Sequence, residues 1–279
     1  MVAYEPDHLS ASQINVYLLC GLKYRFQYVD RLPKPFKSSG LAFGSVIHST
    51  IDWFHKHRIE QRQVTLDQLY RILEADWYSQ QCEEKIRFKD GEDASKLLVM
   101  ARELLGLYYH SPLNGMVQAE LPFRVPLVNP LTGENLGAPL DGFIDLIEAN
   151  DTITEFKTSA RSLDADSVDD LLQLTTYSYA YRVLFGRDPQ RLKVVNFVKT
   201  RTPKLNVLDA AARKPQDYAR LFHLAKEVLR GIRSGIFFPR QSFICNDCEY
   251  ERPCGEWKGN LEIGPVEKRS GDEPIPAYA

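Results

Sequence analysis

No run of apolar residues in this sequence reaches the ~18 that a membrane-spanning helix needs, so no membrane span is expected. Its first residues, Met1-Val2-Ala3-Tyr4-Glu5-Pro6-Asp7-His8, have neither a basic n-region nor an apolar h-region. No secretory signal is therefore visible, and an intracellular, cytoplasmic location is expected. No Gly-x4-Gly-Lys-Ser/Thr loop occurs, which leaves no P-loop motor in this sequence, so any helicase would be a separate partner. No internal repeat is present. Cysteine is scarce, five in 279 residues, and without an export signal a disulfide framework is not expected. There is also no excess of charge: 35 basic and 37 acidic side chains give −2, and the whole-chain average offers no attraction to an anionic partner. A chain of this length buries roughly 75% of its unfolded surface, so core size demands neither a disulfide nor a metal. With 44% hydrophobic and 26% charged residues the composition excludes a fibrous or wholly disordered chain.

What is present is unevenly placed. Residues 259–279 hold four acids and two bases, with three glycines, three prolines and little apolar periodicity, and are expected to hang free. The remaining body is even, with 33 bases and 33 acids, yet it contains two basic stretches. One runs from Lys23 through Arg25, Arg31 and Lys34 to Lys37, opposed only by Asp30; the other runs from Lys193 through Lys199 and Arg201 to Lys204 with no acid. The cysteines are equally uneven. Three form Cys245-x2-Cys248-x5-Cys254 and a fourth, Cys20, lies near the N-terminus. A structural zinc usually takes its thiolates as two short pairs. One plus three fits a four-thiolate iron–sulfur cluster better, although spacing alone does not choose the metal. Cys82 has no cysteine neighbour and reads as a small helical side chain.

Ser10-Ala11-Ser12-Gln13 reads as a capping box opening a helix that stops near Cys20-Gly21. Helical periodicity follows over residues 41–57, 66–79 and 94–109. The character then changes: residues 117–128, 140–148 and 152–158 read as strands, the last two joined by the short Ala149-Asn150-Asp151. A helix over 168–184, a strand over 193–198 and a helix over 215–234 complete the order. This predicts an α/β (α+β) core behind a helical N-terminal half.

Side chains alternate across a strand, so Asp141 and Asp145 share one face, as do Glu155 and Lys157. Pairing the two strands as a hairpin brings Asp145, Glu155 and Lys157 to one spot, where oxygen ligands suit Mg²⁺ or Mn²⁺. Gln173 and Tyr177 are i and i+4 on the next helix, and His48 follows Gly44 by four residues on an earlier one. Taken singly, Glu-x-Lys is most often a surface charge pair and a lone helical histidine a core residue. His55 and His57, two apart and on different helix faces, read as solvent residues.

Together, Gly44-x3-His48, Gly142-x2-Asp145, Glu155-x-Lys157 and Gln173-x3-Tyr177 resemble, in order, the motifs of the RecB-like branch of the PD-(D/E)XK nuclease superfamily. Cys20 with Cys245-x2-Cys248-x5-Cys254 is similar to the iron–sulfur signature of its AddB-type and CRISPR-associated members. The resemblance runs from about Leu9 to Trp257. It implies a restriction-endonuclease-like core, a central mixed sheet flanked by helices with a helical N-terminal elaboration. Residues 1–258 would form one domain: a helical part over about 9–110, a catalytic core over about 115–240 and a cluster segment, 245–257, closing onto Cys20. It further implies a metal-dependent DNA nuclease, an exonuclease acting on single strands or ends. Asp145 and Glu155, the Phe156 carbonyl and His48 would hold Mg²⁺ or Mn²⁺. Lys157 would serve the attacking water, Gln173 and Tyr177 would orient Lys157 or contact substrate, and Glu120 would support the site from behind. A structural [4Fe-4S] cluster on Cys20, Cys245, Cys248 and Cys254 is implied as well. Lys23, Arg25, Lys199, Arg201 and Lys204, with Tyr24, Phe26 and Tyr28, would line a groove for DNA. The pathway, whether repair, recombination or CRISPR, would be set by a separate partner. Two departures are small: Glu155 stands where many relatives have Asp, and Gly21 where a proline often follows the first cysteine. The competing readings are a non-catalytic iron–sulfur or zinc DNA-binding module and a metal-dependent hydrolase of another phosphoester.

Overall fold

The computed structural model describes residues 4–111 and 115–258. The C-terminal stretch expected to hang free lies outside the described residues. Helix α1 (Ala11–Leu19) opens where Ser10 Oγ accepts the Gln13 N–H, one half of the expected capping box. The other half is diverted, because the Gln13 side-chain amide meets the His8 ring at 3.0 Å. Cys20 breaks the helix in an extended conformation, and its sulfur then caps α2 (Gly21–Tyr24) by accepting the Lys23 N–H. Gly21 therefore starts a helix where the sequence made it a stop. A π-helical turn, Arg25–Val29, follows.

Helices α3 (Ser39–Ile59), α4 (Leu66–Glu83) and α5 (Ala94–Tyr109) fall where periodicity placed them. Thr65 and Gln68 form a full capping box at the start of α4, and Asp93 caps α5. A two-residue parallel pair, β1 (Lys37–Ser38) with β2 (Ile86–Arg87), ties the entries of α3 and α5.

The main sheet has the order β3-β4-β5-β6-β7: β3 (Met116–Val128), β4 (Asn135–Glu148), β5 (Thr152–Ser159), β6 (Arg191–Val198) and β7 (Lys204–Ala210). Its β5–β6 pair is parallel and the others antiparallel, so the sheet is mixed. The link from β4 to β5 turns on Asn150 and Asp151, both in the left-handed region at φ 61° and 55°, which short polar side chains tolerate. A parallel pair needs a crossover, supplied by α6 (Ala165–Asp169) and α7 (Leu172–Phe185). The single helix expected over 168–184 is thus two. Strand β7, an edge strand of alternating exposure, was not expected; the basic segment after β6 turns back into it at Lys204.

Each sheet face is covered. Ile153, Leu192 and Ile144 pack with α1, α7 and α8 (Pro215–Arg233). Leu146, Phe156, Val195 and Phe197 pack beneath α3, α4 and α5. A satellite core joins Cys20, Leu22 and Phe26 to Tyr250, just before the short helix α9 (Glu251–Gly255). No described helix is long and apolar enough to cross a membrane.

Candidate active site

The site lies where the sheet comes apart. Strands β4 and β5 pair only over Leu146–Glu148 and Thr152–Thr154. The next residues outward, Asp145 and Glu155, stand at the point of divergence. On the other side, Glu120 falls between the Ala119–Leu146 and Leu121–Ile144 pairs of β3 and β4, across from Asp145. Glu120, Asp145 and Glu155 therefore make one row of carboxylates across three strands. Glu120 has φ 47°, a left-handed conformation in a non-glycine strand residue, and such local strain concentrates at functional sites.

Helix α3 adds His48. A Cβ on Gly44, one turn earlier, would sit 3.1 Å from Thr158 Oγ1, so glycine lets the helix lie close to β5. His48 packs edge-on against Phe156, with Nδ1 3.8 Å from Asp145 Oδ2. One donor atom each from His48, Glu120 and Asp145 lie within 4.8 Å of one another. Glu120, assigned to a supporting position from sequence, thus joins the possible ligands directly. Glu155 adjoins the trio: it is fully buried, Lys157 Nζ lies 2.5 Å from its Oε1, and Oε2 has no hydrogen-bond partner among the described residues. The Phe156 carbonyl, expected as a ligand, accepts from the His48 ring, and the Phe156 N–H donates to Asp145 Oδ2 at 2.9 Å.

Burial and crowding set the electrostatics. Burial, then the neighbouring Asp145, pushes Glu155 up to about 8. Burial raises Asp145 to about 6, and burial followed by the charge of Asp52 raises Glu120 to about 7. Burial lowers His48, favouring its neutral, ligating form. Three crowded acids, an unbonded carboxylate oxygen and a neutral imidazole are a donor set that fits a hard divalent cation.

Gln173 and Tyr177 complete a chain of hydrogen bonds. Lys157 Nζ donates to Gln173 Oε1 at 2.5 Å, Gln173 Nε2 donates to Tyr177 Oη at 2.7 Å, and Tyr177 donates to Asp145 Oδ1 at 3.1 Å. Burial and the two flanking acids push the Tyr177 hydroxyl far above its ordinary range, so it stays a donor. The ammonium and the buried carboxylate are thereby held in one frame.

A groove of about 1050 Å³ opens on the His48–Lys157 side, lined by seven lysines and four acids. Lys199 lies in it, 4.7 Å from the Phe43 ring centroid, with its pKa lowered by burial. Lys23 also lines it but is ion-paired to Glu249 at 2.7 Å. Arg25 pairs with Asp30 at 3.1 Å, while Arg201 and Lys204 are exposed beyond the groove lining. Two expected stacking platforms belong to the interior instead: Tyr24 and Phe26 are 0% and 2% exposed. Tyr28 is half-buried against the same core. His55, read as a solvent residue, is buried and bonds the Tyr108 hydroxyl at 2.7 Å.

Cys20, Cys248 and Cys254 share the satellite core, and Cys245 lies close enough that the Cys20, Cys245 and Cys248 thiols all raise Cys254 electrostatically, after burial. Among the described residues no three of these sulfurs lie within 4.8 Å of one another. Cys82 is exposed on α4.

The sequence matches the profile of the PD-(D/E)XK nuclease superfamily over residues 8–255. The chain belongs to this superfamily. Its members are metal-dependent nucleases, and the mixed sheet flanked by helices is the restriction-endonuclease-like fold. Among solved structures, a candidate exonuclease of Eubacterium rectale superposes with a TM-score of 0.53 at 12% identity, covering 97% of this chain and 91% of that one. That likeness concerns the fold. The protein SSO0001 matches at TM-score 0.41 and 13% identity, over 89% of this chain and 85% of that one, too distant to carry an argument. Among curated proteins, none shows significant sequence similarity to this chain.

Proposed function

We propose that the chain is a metal-dependent DNA nuclease of the RecB-like branch, acting on single strands or DNA ends. The observation that carries this reading is the row Glu120–Asp145–Glu155 with Lys157 2.5 Å from an otherwise unbonded, buried carboxylate. Asp145, Glu155, Glu120 and His48 would hold Mg²⁺ or Mn²⁺. Such a cation activates water and neutralises charge on a phosphate undergoing in-line displacement. Lys157 is tied to the metal-binding carboxylate on one side and to Gln173 on the other, which fixes its ammonium where an attacking water and a phosphate oxygen meet. Phe156 N–H and Tyr177 Oη hold the two oxygens of Asp145, so the carboxylate presents a set orientation. The lysine-lined groove would carry the phosphates of a strand to this point.

The test is cleavage of end-labelled single- and double-stranded DNA with Mn²⁺ or Mg²⁺, alongside Lys157→Ala. The expected result is cation-dependent cleavage that the variant loses by roughly 10²-fold or more, with unchanged circular dichroism. Inert wild-type protein, or a fully active variant, overturns the assignment.

We further infer that the four cysteines hold an iron–sulfur cluster that fastens the start of α2 to residues 245–254, which run into α9. Supporting this, Cys20 from one end of the chain and Cys248 and Cys254 from the other meet in one apolar patch, with Cys245 near enough to raise the Cys254 thiol. Closing even a ~100-residue loop is worth roughly 4–5 kcal/mol in the chain-entropy model for disulfides. Protein purified anaerobically should be brown, with iron and sulfide in equal amounts. A colourless protein with stoichiometric zinc overturns the cluster and leaves the nuclease reading standing.

A further inference from the structure

A second cavity lies on the far side of the carboxylate row from the lysine groove. It has a volume of about 420 Å³, and Asp145 and Tyr177 form part of its wall. Its chemistry is unlike that of the groove. No lysine or arginine lines it, and its acids are Asp145 and Asp141, the latter paired with Arg124 at 3.1 Å. The remaining polar groups are mostly hydroxyls and ring nitrogens: Ser10 and Ser12 at the start of α1, Thr176, Tyr177 and His8. Thr176 is 1% exposed and its hydroxyl has no hydrogen-bond partner, whereas buried hydroxyls nearly always have one. At the rim Phe143 is 54% exposed, on a strand whose neighbours Ile144 and Asp145 are buried.

We propose that this cavity receives the nucleoside, base and sugar, at the end of the strand being cut, with the base stacked on Phe143. The inference rests on the nuclease reading and deepens it. Three features select the ligand. The lining has no lysine or arginine to grip a phosphate, and its hydroxyls suit a neutral group. Phe143 supplies an exposed aromatic face on which any base can stack, with Phe123 and Tyr177 buried behind it. The hydroxyls of Ser12 and Thr176 offer donors to the oxygens of a base or a sugar. The position fixes the rest. A strand whose phosphates run along the lysine groove reaches the carboxylate row, and beyond it finds room of about 420 Å³ against about 1050 Å³ in the groove. The smaller room on that side suits a terminal nucleoside better than a continuing strand, which makes the site one for removing single nucleotides from ends. Gly142 lets the Phe123 ring lie across it in the wall, since a Cβ there would meet that ring at 2.9 Å.

Two measurements on the full chain test this. In the first, deoxyadenosine is titrated into metal-free protein and followed by saturation-transfer NMR. Binding to wild type, weakened about tenfold or more in Phe143→Ala, is expected. No binding, or equal binding to the variant, overturns the proposal. In the second, cleavage of a linear single strand is compared with that of the same strand bearing an abasic terminal nucleotide. The expected result is a KM for the intact end about tenfold or more below that for the abasic end, a difference that Phe143→Ala abolishes. Equal KM values overturn the pocket but not the nuclease. Conversely, no cleavage of any DNA, with deoxyadenosine still bound at Phe143, overturns the nuclease reading and its strand-end role for the pocket, while the nucleoside site itself stands. Mn²⁺-induced thermal stabilisation of Phe143→Ala should equal that of wild type; its loss overturns the assignment by showing that Phe143 acts through the carboxylate row.

Discussion

Replacing Glu155 by Gln should make the metal-free protein more stable while removing its capacity to be stabilised by metal. Glu155 is fully buried, and burial with the adjacent Asp145 lifts its carboxyl from 4.5 to about 8. At pH 7 the unfolded chain ionises this group freely and the folded chain does not. Each unit of displacement is worth about 1.4 kcal/mol, so the folded state loses on the order of 3 kcal/mol relative to a side chain that never ionises. Glutamine removes that loss. The Lys157 interaction is already contained in that raised pKa and is not subtracted again. The gain of about 3 kcal/mol corresponds to roughly 6 °C or more in Tm at this chain length. The pH dependence has a definite sign. A carboxyl whose folded pKa is raised contributes stability that is full below about 4.5 and is lost as pH climbs through about 8. Wild-type Tm in EDTA should therefore fall across that window, and the variant's should fall less steeply. Mn²⁺ binds the ionised form, so its stabilisation of wild type should grow across the same window and be largely absent in the variant. Differential scanning calorimetry at pH 5, 7 and 8.5, with EDTA or MnCl₂, reads all of this. A variant less stable than wild type in EDTA, or one stabilised by Mn²⁺ as fully as wild type, would refute the reasoning.

Tyr177→Phe should lower Mn²⁺ affinity or cleavage rate by about 10- to 100-fold with the fold intact, since it frees Asp145 Oδ1 and the Gln173 amide together; calorimetric titration and single-turnover kinetics check it. Gly44→Val places a Cβ 3.1 Å from Thr158 Oγ1 and should displace α3, and His48 with it, lowering Mn²⁺ affinity by about tenfold. The double variant with Thr158→Ala should recover most of the loss if the contact is the cause. The groove's seven lysines against four acids leave three net charges, so single-strand affinity should fall with salt at a log–log slope of about −2. A slope near −5 would mean that the strand displaces the acids paired to Lys23, Lys37 and Lys89, and no salt dependence would sink the groove.

Much of this was legible in the sequence because it rests on local rules. Periodicity placed α3, α4 and α5, each burying one face, and apolar strand patterns placed β3, β4 and β5, the last buried on both faces. Edge strand β7 escaped because Lys204-Leu205-Asn206-Val207 buries little and so carries a weak apolar signal. The division of 168–184 into two helices escaped because Asp169 and Asp170 end α6 by capping geometry rather than by glycine or proline. For the site, Asp145, Glu155 and Lys157 follow from spacing and a hairpin alone. Glu120 does not: its role depends on register with Asp145 and on a left-handed φ that no local pattern announces. Tyr24 and Phe26 misled for a related reason. A basic, aromatic run looks like a nucleic-acid surface, yet their helix turns both rings inward toward separate cores, around Phe237 and Tyr250.

The divergence of β4 and β5 and the acids at its mouth depend on one another. One further rung of the ladder would take the Phe156 N–H for pairing and strip Asp145 of that donor. The closed end is therefore as important as the open one, and it is fastened by a second buried charge. Glu148 on β4 accepts from Thr154 on β5 and is paired with Lys193 on β6, all three strands clamped at one point three residues from Asp145. Breaking such a buried pair from one side costs about 3–5 kcal/mol, which resists creep of the divergence in that direction. The sheet thus holds two buried acids within a few residues of each other and treats them oppositely. Glu148 is compensated by the protein's own cation and fixes where the strands part. Glu155, just across that parting, shares one lysine with a crowded row, and the uncompensated charge it leaves is what a divalent cation would come to neutralise.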